Sequence, residues 1–367
     1  MSIPLFATQE ALKPLLEEVG ERQRAVLESG RYVLGPEVEA FEAEFAAYLG
    51  ARHCIGVANG TDALTIALRA LGVRAGDEVV VPALTFYATA EGVVNAGAVP
   101  VFCDVDPGTM AMSAATAEAA IGERTAALLP VHLFGNPAPM AELLELAEDR
   151  GLRVLEDAAQ AAGASLGGCK VGALADAGAF SFFPSKNLGG FGDGGAVVTD
   201  DDAVAASVRR LRAHGSEDKR IHTEIGYNSR LDELQAASLR VLLPHIDEWT
   251  AARRRVAAAY AAASLGDVVE LPTETAGGQC CYHLYVARTP DRDRLADGLA
   301  AEGIAARAYY TTPLHRQPAL ERYAPAEPLR EVDRAAAESL ALPMGPALSP
   351  EQAREVAGAA AAILATR

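Results

Sequence analysis

Gly178-Ala-Phe-Ser-Phe-Phe-Pro-Ser-Lys-Asn-Leu-Gly-Gly-Phe-Gly-Asp-Gly-Gly-Ala196 sets an apolar strand, a lysine and a glycine-dense loop in direct succession. Glycine lets backbone approach a ligand closely and adopt positive φ. An ammonium in so dry a place loses solvation, so its pKa falls toward neutrality and the free amine can attack a carbonyl. A surface lysine in a flexible turn fits the same letters equally well. Gly190-x-Gly192-x-Gly194 follows a strand as a dinucleotide loop does, but the spacing is not G-x-G-x-x-G and no long helix opens on it.

Outward from Lys186, short apolar runs alternate with helical patterns between about residues 52 and 200. Strands are expected at His53–Ala58, Glu78–Pro82, Val99–Val105, Ala126–Leu133, Leu152–Glu156, Gly178–Phe183 and Ala196–Thr199. Most are continuous apolar runs, as in strands covered on both faces. Leu64, Ala67, Leu68 and Leu71 recur at helical spacing, and Met140–Arg150 carries Leu143, Leu144 and Ala147 on one face. The alternation predicts an open, largely parallel α/β sheet. Beyond Leu242 the texture changes to a helix Ile246–Ala263, a strand Tyr282–Arg288, a helix Asp291–Glu302, a strand near Ile304–Tyr309 and a helix Pro350–Thr366. Two regions follow, a large α/β domain over 1–245 and a smaller α+β domain over 246–367.

The 367 residues are 50% hydrophobic and 22% charged, which excludes disordered, collagenous and coiled-coil chains. A formal net charge of -17 argues against nucleic acid and anionic lipid as partners. An anionic ligand therefore needs a local site that overcomes the global field. Met1–Glu10 lacks the pattern of an export signal, and the apolar tail Ala357–Ala365 is too short to span a bilayer. Cys54, Cys103, Cys169, Cys280 and Cys281 form no C-x-x-C pair and read as reduced thiols of a cytoplasmic protein, with no metal site.

Three further motifs carry chemistry. In Gly151-Leu-Arg-Val-Leu-Glu-Asp-Ala-Ala-Gln-Ala161, Asp157 ends an apolar strand at the carboxyl edge, where open α/β sheets bind ligands. A lone anion there needs a cation, which a protonated pyridine nitrogen supplies; a helix cap or a salt bridge is the plainer alternative. Val57-Ala-Asn-Gly-Thr-Asp-Ala63 is strand, turn and helix, so the N–H groups after Gly60, near Thr61 and Asp62, form a phosphate cradle. Thr61 also fits a simple N-cap. Ser181 can donate a further hydroxyl. Phe86, in Pro82-Ala-Leu-Thr-Phe-Tyr87, can stack on an aromatic ring or fill a core. A Schiff-base lysine, a pyridinium-pairing aspartate, a helix N-terminus and a stacking aromatic are what pyridoxal 5′-phosphate asks of a protein.

These motifs resemble the DegT/DnrJ/EryC1/StrS sugar aminotransferases. The resemblance runs from Tyr32-Val-Leu-Gly-Pro-Glu-Val38 to Leu342-Pro-Met-Gly345, through Asn59-Gly-Thr-Asp-Ala-Leu64, Glu156-Asp-Ala-Ala-Gln160, Ser181-Phe-Phe-Pro-Ser-Lys-Asn187 and Gly226-Tyr-Asn-Ser-Arg-Leu-Asp232. It implies the fold type I, aspartate aminotransferase-like architecture, with a mostly parallel seven-stranded sheet and a smaller C-terminal α+β domain. It implies pyridoxal 5′-phosphate or its amine form as cofactor. Lys186 is then the imine-forming lysine and Asp157 the partner of the ring nitrogen. Gln160 touches the ring hydroxyl, Phe86 stacks, and Gly60, Thr61, Asp62 and Ser181 hold the phosphate. Asn228 reaches the phosphate in a neighbouring subunit, implying a homodimer with shared sites, and Arg230 meets the sugar diphosphate.

The implied reaction is ping-pong transfer of an amino group from L-glutamate to a nucleotide-linked keto sugar in amino-deoxysugar biosynthesis. Lys186 in place of histidine favours transamination over dehydration. The Asn187–Gly195 loop resembles enzymes that aminate C3, which points to a dTDP-3-keto-6-deoxyhexose. A UDP-linked 3-keto sugar, C4 amination, a free inosose and a regulator without turnover are the alternatives. His283, Tyr309 and His315 are the small-domain candidates for sugar selection.

Overall fold

The computed structural model describes residues 2–6 and 8–365. Its centre is a seven-stranded sheet of β1 (His53–Val57), β2 (Glu78–Pro82), β3 (Val99–Cys103), β4 (Thr125–Leu128), β5 (Arg153–Asp157), β6 (Ala177–Ser181) and β7 (Gly195–Thr199). The spatial order is β1-β7-β6-β5-β4-β2-β3. The ladders joining β3, β2, β4, β5 and β6 are parallel, whereas β7 runs antiparallel to both β6 and β1. Two reversals cancel, so β1 points the same way as the parallel strands. The loops after β1, β2, β5 and β6 therefore emerge on one edge.

Each strand stands within a residue or two of its expected position, except that β4 ends at Leu128 and Leu129–Leu133 continues as loop and a short 3-10 turn. Val79, Val80, Val81, Leu155, Val197 and Val198 are all at most about 1% exposed, the signature of a sheet covered on both faces. The helix Gly60–Ala70 buries Ala63, Leu64, Ile66, Ala67 and Leu68 against it. Its N-cap is Asn59, whose side chain accepts the Asp62 N–H at 2.8 Å, so Thr61 stands inside the first turn and is not the cap.

The glycine loop works differently from expectation. Among the described residues, none of the glycines from Gly189 to Gly195 has positive φ. They are small because other parts of the protein press on them. A Cβ on Gly195 would lie 2.4 Å from the Asn59 carbonyl oxygen, and one on Gly190 would lie 2.7 Å from Gln235 Oε1.

In the C-terminal region the helix Ile246–Ala262 packs on the terminal helix Pro350–Ala365, and a two-stranded ladder pairs Tyr285–Arg288 with Ser339–Leu342. Thr366, the expected end of that last helix, lies outside the described residues. The helix expected over Asp291–Glu302 runs Arg292–Ala301. The strand expected near Ile304–Tyr309 does not form. Ile304 and Arg307 make only single bridges, to Ile3 and Ala341, because the buried run Ser339–Leu342 takes the ladder beside Tyr285–Arg288. Tyr282–Leu284, expected as strand, is irregular, with Tyr282 at φ 46°. The beginning of the described chain joins this region, since Ile3 bridges Ile304 and Phe6 bridges Met344. Leu284, Val286, Leu314, Val332 and Ala341 pack into the same core as the large sheet.

All five cysteines are free, and only Cys169 is exposed. No helix of the described residues is long and apolar enough to cross a membrane, and none of their His, Cys, Asp and Glu side chains cluster as a metal site.

Candidate active site

A cavity of about 510 Å³ opens at the edge where β1, β2, β5 and β6 end. It brings together Gly60, Thr61, Phe86, Asp157, Gln160, Ser181, Lys186, His283 and Tyr309 from the residues singled out in the sequence.

Lys186 follows β6 in a turn closed by its own N–H to the Phe183 carbonyl at 2.8 Å. Burial pushes its ammonium down to about 8, while the Asp157 charge acts the other way. Among the described residues no carboxylate forms an ion pair with it. At pH 7 that leaves roughly a tenth of the amine free, far more than an ordinary lysine offers, and the free amine is the form a nucleophile needs.

Asp157 is the last residue of β5 and is 4% exposed. Its Oδ1 accepts the Ala159 N–H at 3.1 Å and its Oδ2 the Thr89 hydroxyl at 2.8 Å. Burial raises its pKa; the Thr89 hydroxyl, the Ala159 N–H and the charges of Lys186 and His132 oppose that. It makes no salt bridge among the described residues and caps no helix, so neither plainer reading of this carboxylate accounts for it.

Gln160 is oriented from two sides. Its Oε1 accepts the Phe134 N–H at 2.8 Å and its Nε2 donates to the Tyr310 hydroxyl at 2.9 Å. One amide proton remains for a ligand. Phe86 is 54% exposed, with its ring centroid 6.2 Å from that of Tyr310. The first turn after Asn59 faces Ser181 so closely that a Cβ on Gly60 would lie 2.8 Å from the Ser181 Cβ. A helix N-terminus, a threonine and a serine thus meet on one wall of the cavity, the donor set that an anion asks for.

Other candidates lie elsewhere. Asp62 stands in the first turn of the helix without lining the cavity. Asn228 and Arg230 pair with each other on an exposed loop outside it. His315 is turned toward Asp333, its Nε2 3.6 Å from the carboxylate, and does not reach the cavity. His283 does line it. Its pKa is pushed well down by burial, then by the charges of Lys186 and Arg253, and its buried Nδ1 has no hydrogen-bond partner among the described residues.

Sequence reasoning passed over Thr85, Thr89, Arg307 and Tyr310. Arg307 stands with its guanidinium 5.4 Å from the Tyr309 ring centroid and adds a cation to an otherwise apolar wall. The threonines left a signal, two hydroxyls four residues apart just past a strand end. Arg307 and Tyr310 left none, for they sit on a segment without regular structure.

The lining fits pyridoxal 5′-phosphate. A buried lysine of lowered pKa, a buried carboxylate without a cation of its own and a helix N-terminus all open into one space.

Comparison with known proteins points the same way. The chain is 46% identical over 360 residues to the pleiotropic regulatory protein of Geobacillus stearothermophilus, covering 97% of each. It is 45% identical over 356 residues to the dTDP-3-amino-3,4,6-trideoxy-α-D-glucose transaminase of Streptomyces venezuelae, covering 96% of this chain and 94% of that one. The crystal structure of S. venezuelae DesV in complex with a ketimine intermediate superposes with a TM-score of 0.95, at 45% identity and over 98% and 97% of the two chains. The family model described as the DegT/DnrJ/EryC1/StrS aminotransferase family matches residues 15–361, and the chain belongs to that family.

Proposed function

We propose that this protein is a pyridoxal-phosphate-dependent aminotransferase that moves an amino group from L-glutamate to C3 of a dTDP-linked 3-keto-6-deoxyhexose. The observation that carries the reading is the convergence of Lys186 and Asp157 on one cavity, the first with its pKa lowered and the second a buried carboxylate without a salt-bridge partner among the described residues. When bound, the cofactor supplies a carbonyl for amine exchange and an electron sink for the carbanion that follows.

The chain's own residues do the rest. The N–H groups after Gly60, with the Thr61 and Ser181 hydroxyls, hold the phosphate. Phe86 would cover the ring face, and the free Nε2 proton of Gln160 would meet the ring hydroxyl. Asp157 would keep the ring nitrogen protonated. Lys186 Nζ is the nucleophile that anchors the cofactor and, once released, takes a proton from one carbon and returns it to another. A pKa near 8 suits both tasks, since the amine must be protonated and unprotonated in turn within one cycle.

Lys186 and Arg307 set two basic groups beside the Asp157 and Asp193 carboxylates of the cavity, in a chain of net charge -17. Those two bases are the groups there that suit an anionic donor and an anionic sugar nucleotide. The exposed Asn228–Arg230 pair stands away from its own cavity, which suits a homodimer in which this loop completes the partner's site. Four buried thiols accord with work in the cytoplasm.

A panel of dTDP- and UDP-linked keto sugars, incubated with glutamate and with product regiochemistry determined, tests the assignment. C3 amination of a dTDP sugar is expected. A preference for UDP sugars, a C4 product or turnover of a free inosose insensitive to added dTDP would each replace the substrate named here. Glutamate should also bleach the visible band of the holoenzyme. No bleaching would leave a cofactor-binding regulator.

A further inference from the structure

Beside Asp157, on the wall of the same cavity, lies a pair of hydroxyls that the reaction as written does not use. Thr89 Oγ1 is 2.8 Å from Asp157 Oδ2, and Thr85 Oγ1 is 3.0 Å from Thr89 Oγ1. Thr85, Thr89 and Asp157 are 3%, 1% and 4% exposed, so water does not compete for these contacts. An ionised carboxylate only accepts, which commits the single Thr89 proton to Asp157. Thr85 must then donate into the Thr89 oxygen. The order Thr85 to Thr89 to Asp157 is thereby fixed, and each bond polarises the next.

We propose that Thr89, with Thr85 behind it, is a positioning residue that holds Asp157 as the ionised, oriented partner of the cofactor's ring nitrogen. The inference rests on the reading above that Asp157 pairs with that nitrogen. Burial alone drives a carboxylate toward its neutral form. A neutral acid would leave the ring nitrogen without its anion, and the ring would draw electrons less strongly. The other groups whose charges reach Asp157 are Lys186 and His132. Lys186 is bonded to the cofactor for part of the cycle and free for the rest, so its charge on Asp157 is not constant. His132 is tied through Nε2 to Glu156 at 2.9 Å and through Nδ1 to the Ala138 N–H at 2.9 Å. The Ala159 N–H on Oδ1 and the Thr89 hydroxyl on Oδ2 are the direct donors that persist through the cycle, one to each oxygen.

The test compares holoenzymes of Thr89→Val, Thr89→Ser and Thr85→Val with the parent. Thr89→Val keeps the shape and removes the donor. It should raise the apparent pKa of the visible cofactor band by about one unit and slow the glutamate half-reaction roughly tenfold, the size of a hydrogen bond to a charged group. Thr89→Ser should restore both, and Thr85→Val should move both the same way by less. A Thr89→Val holoenzyme with the parent's band titration and rate overturns the proposal and reduces the pair to packing. Should Thr89→Val not fold, Thr85→Val decides alone: a shifted band supports the relay and a parental band defeats it. A parent band that glutamate leaves untouched would instead defeat the reading of function on which the relay rests.

Discussion

The two walls of the cavity differ in kind. One is the sheet edge, where Asp157 and Ser181 end strands and Gly60 and Thr61 open a helix. The other is Phe6, His283, Leu284, Arg307, Tyr309 and Tyr310, all on segments without strand or helix. On the first wall backbone ladders fix each side chain, so its geometry follows from the periodicity of the chain. On the second wall position depends on pairing between distant parts, such as Ile3 with Ile304 and Arg307 with Ala341. Chemistry common to every substrate belongs on the rigid wall, and discrimination belongs on the irregular one.

The hardest test of that division is Lys186, held in the hydrogen-bonded turn that follows β6 on the sheet-edge side. Lys186→Ala should abolish amino transfer and leave no borohydride-reducible link to the cofactor; surviving turnover would break the comparison outright. The same position makes a second, thermodynamic prediction. The Lys186 pKa is lowered from 10.5 to about 8 by folding. The protonated form is therefore disfavoured in the fold, and that cost is full below pH about 8 and gone above the unfolded value. Cofactor-free Lys186→Met should be more stable than the parent at pH 7, by up to about 3 kcal/mol. The difference should shrink as pH rises from 8 toward 10.5. Chemical denaturation of both proteins across that range reads it directly, and a constant difference would contradict the buried ammonium.

Next in size is Gly60→Ala. The added Cβ would meet the Ser181 Cβ at 2.8 Å in a wall that has little room to move. Overpacking of this kind costs about 1–3 kcal/mol, which amounts to roughly tenfold or more in cofactor affinity. Gly358→Ala, on the terminal helix with nothing within 4 Å of the new atom, is the control and should leave cofactor affinity unchanged. Equal effects at the two positions would mean that the rigid wall is not rigid.

This contrast also explains what the sequence discloses. The strands were readable because buried parallel strands are continuous apolar runs, and the motifs at their ends were readable because a strand end followed by glycine or a helix is a local pattern. Thr61 was ambiguous as a cap until Asn59 was seen to accept the Asp62 N–H, a choice that turns on a side-chain rotamer. The glycines after Lys186 left two readings open, close approach and positive φ, for a similar reason: glycine letters do not say whether conformation or crowding requires them, and here it is crowding. The strand expected near Ile304–Tyr309 failed because its competitor, Ser339–Leu342, lies some thirty residues further along the chain. Tyr310 and Arg307 were invisible because nothing within their own segment marks them.

Asn228 sharpens the comparison from outside both walls. Its side chain pairs with Arg230 on an exposed loop, so a single chain gives it no task in its own cavity. Asn228→Ala should weaken cofactor retention by roughly tenfold, the worth of one hydrogen bond to a phosphate, while leaving the thermal unfolding of the cofactor-free chain unchanged. Unchanged retention would remove the case for a site completed by a second subunit.

The smallest effect is expected at His315, and it marks where the irregular wall stops. His315 faces Asp333, and burial lowers its pKa, so at neutral pH the pair is not a full ion pair. His315→Gln should therefore leave the KM for the keto sugar within about twofold, the scale of a weak partly exposed contact. His283→Gln should raise that KM severalfold, because the parent ring enters the cavity with an unpartnered Nδ1. The two histidines separate two accounts of selectivity. If substrate reaches only the wall from Phe6 to Tyr310, the substitutions differ as stated. If His315→Gln raises KM as much as His283→Gln, the cleft continues past Pro313, and selection of the sugar extends onto the helix Arg330–Glu338 that carries Asp333.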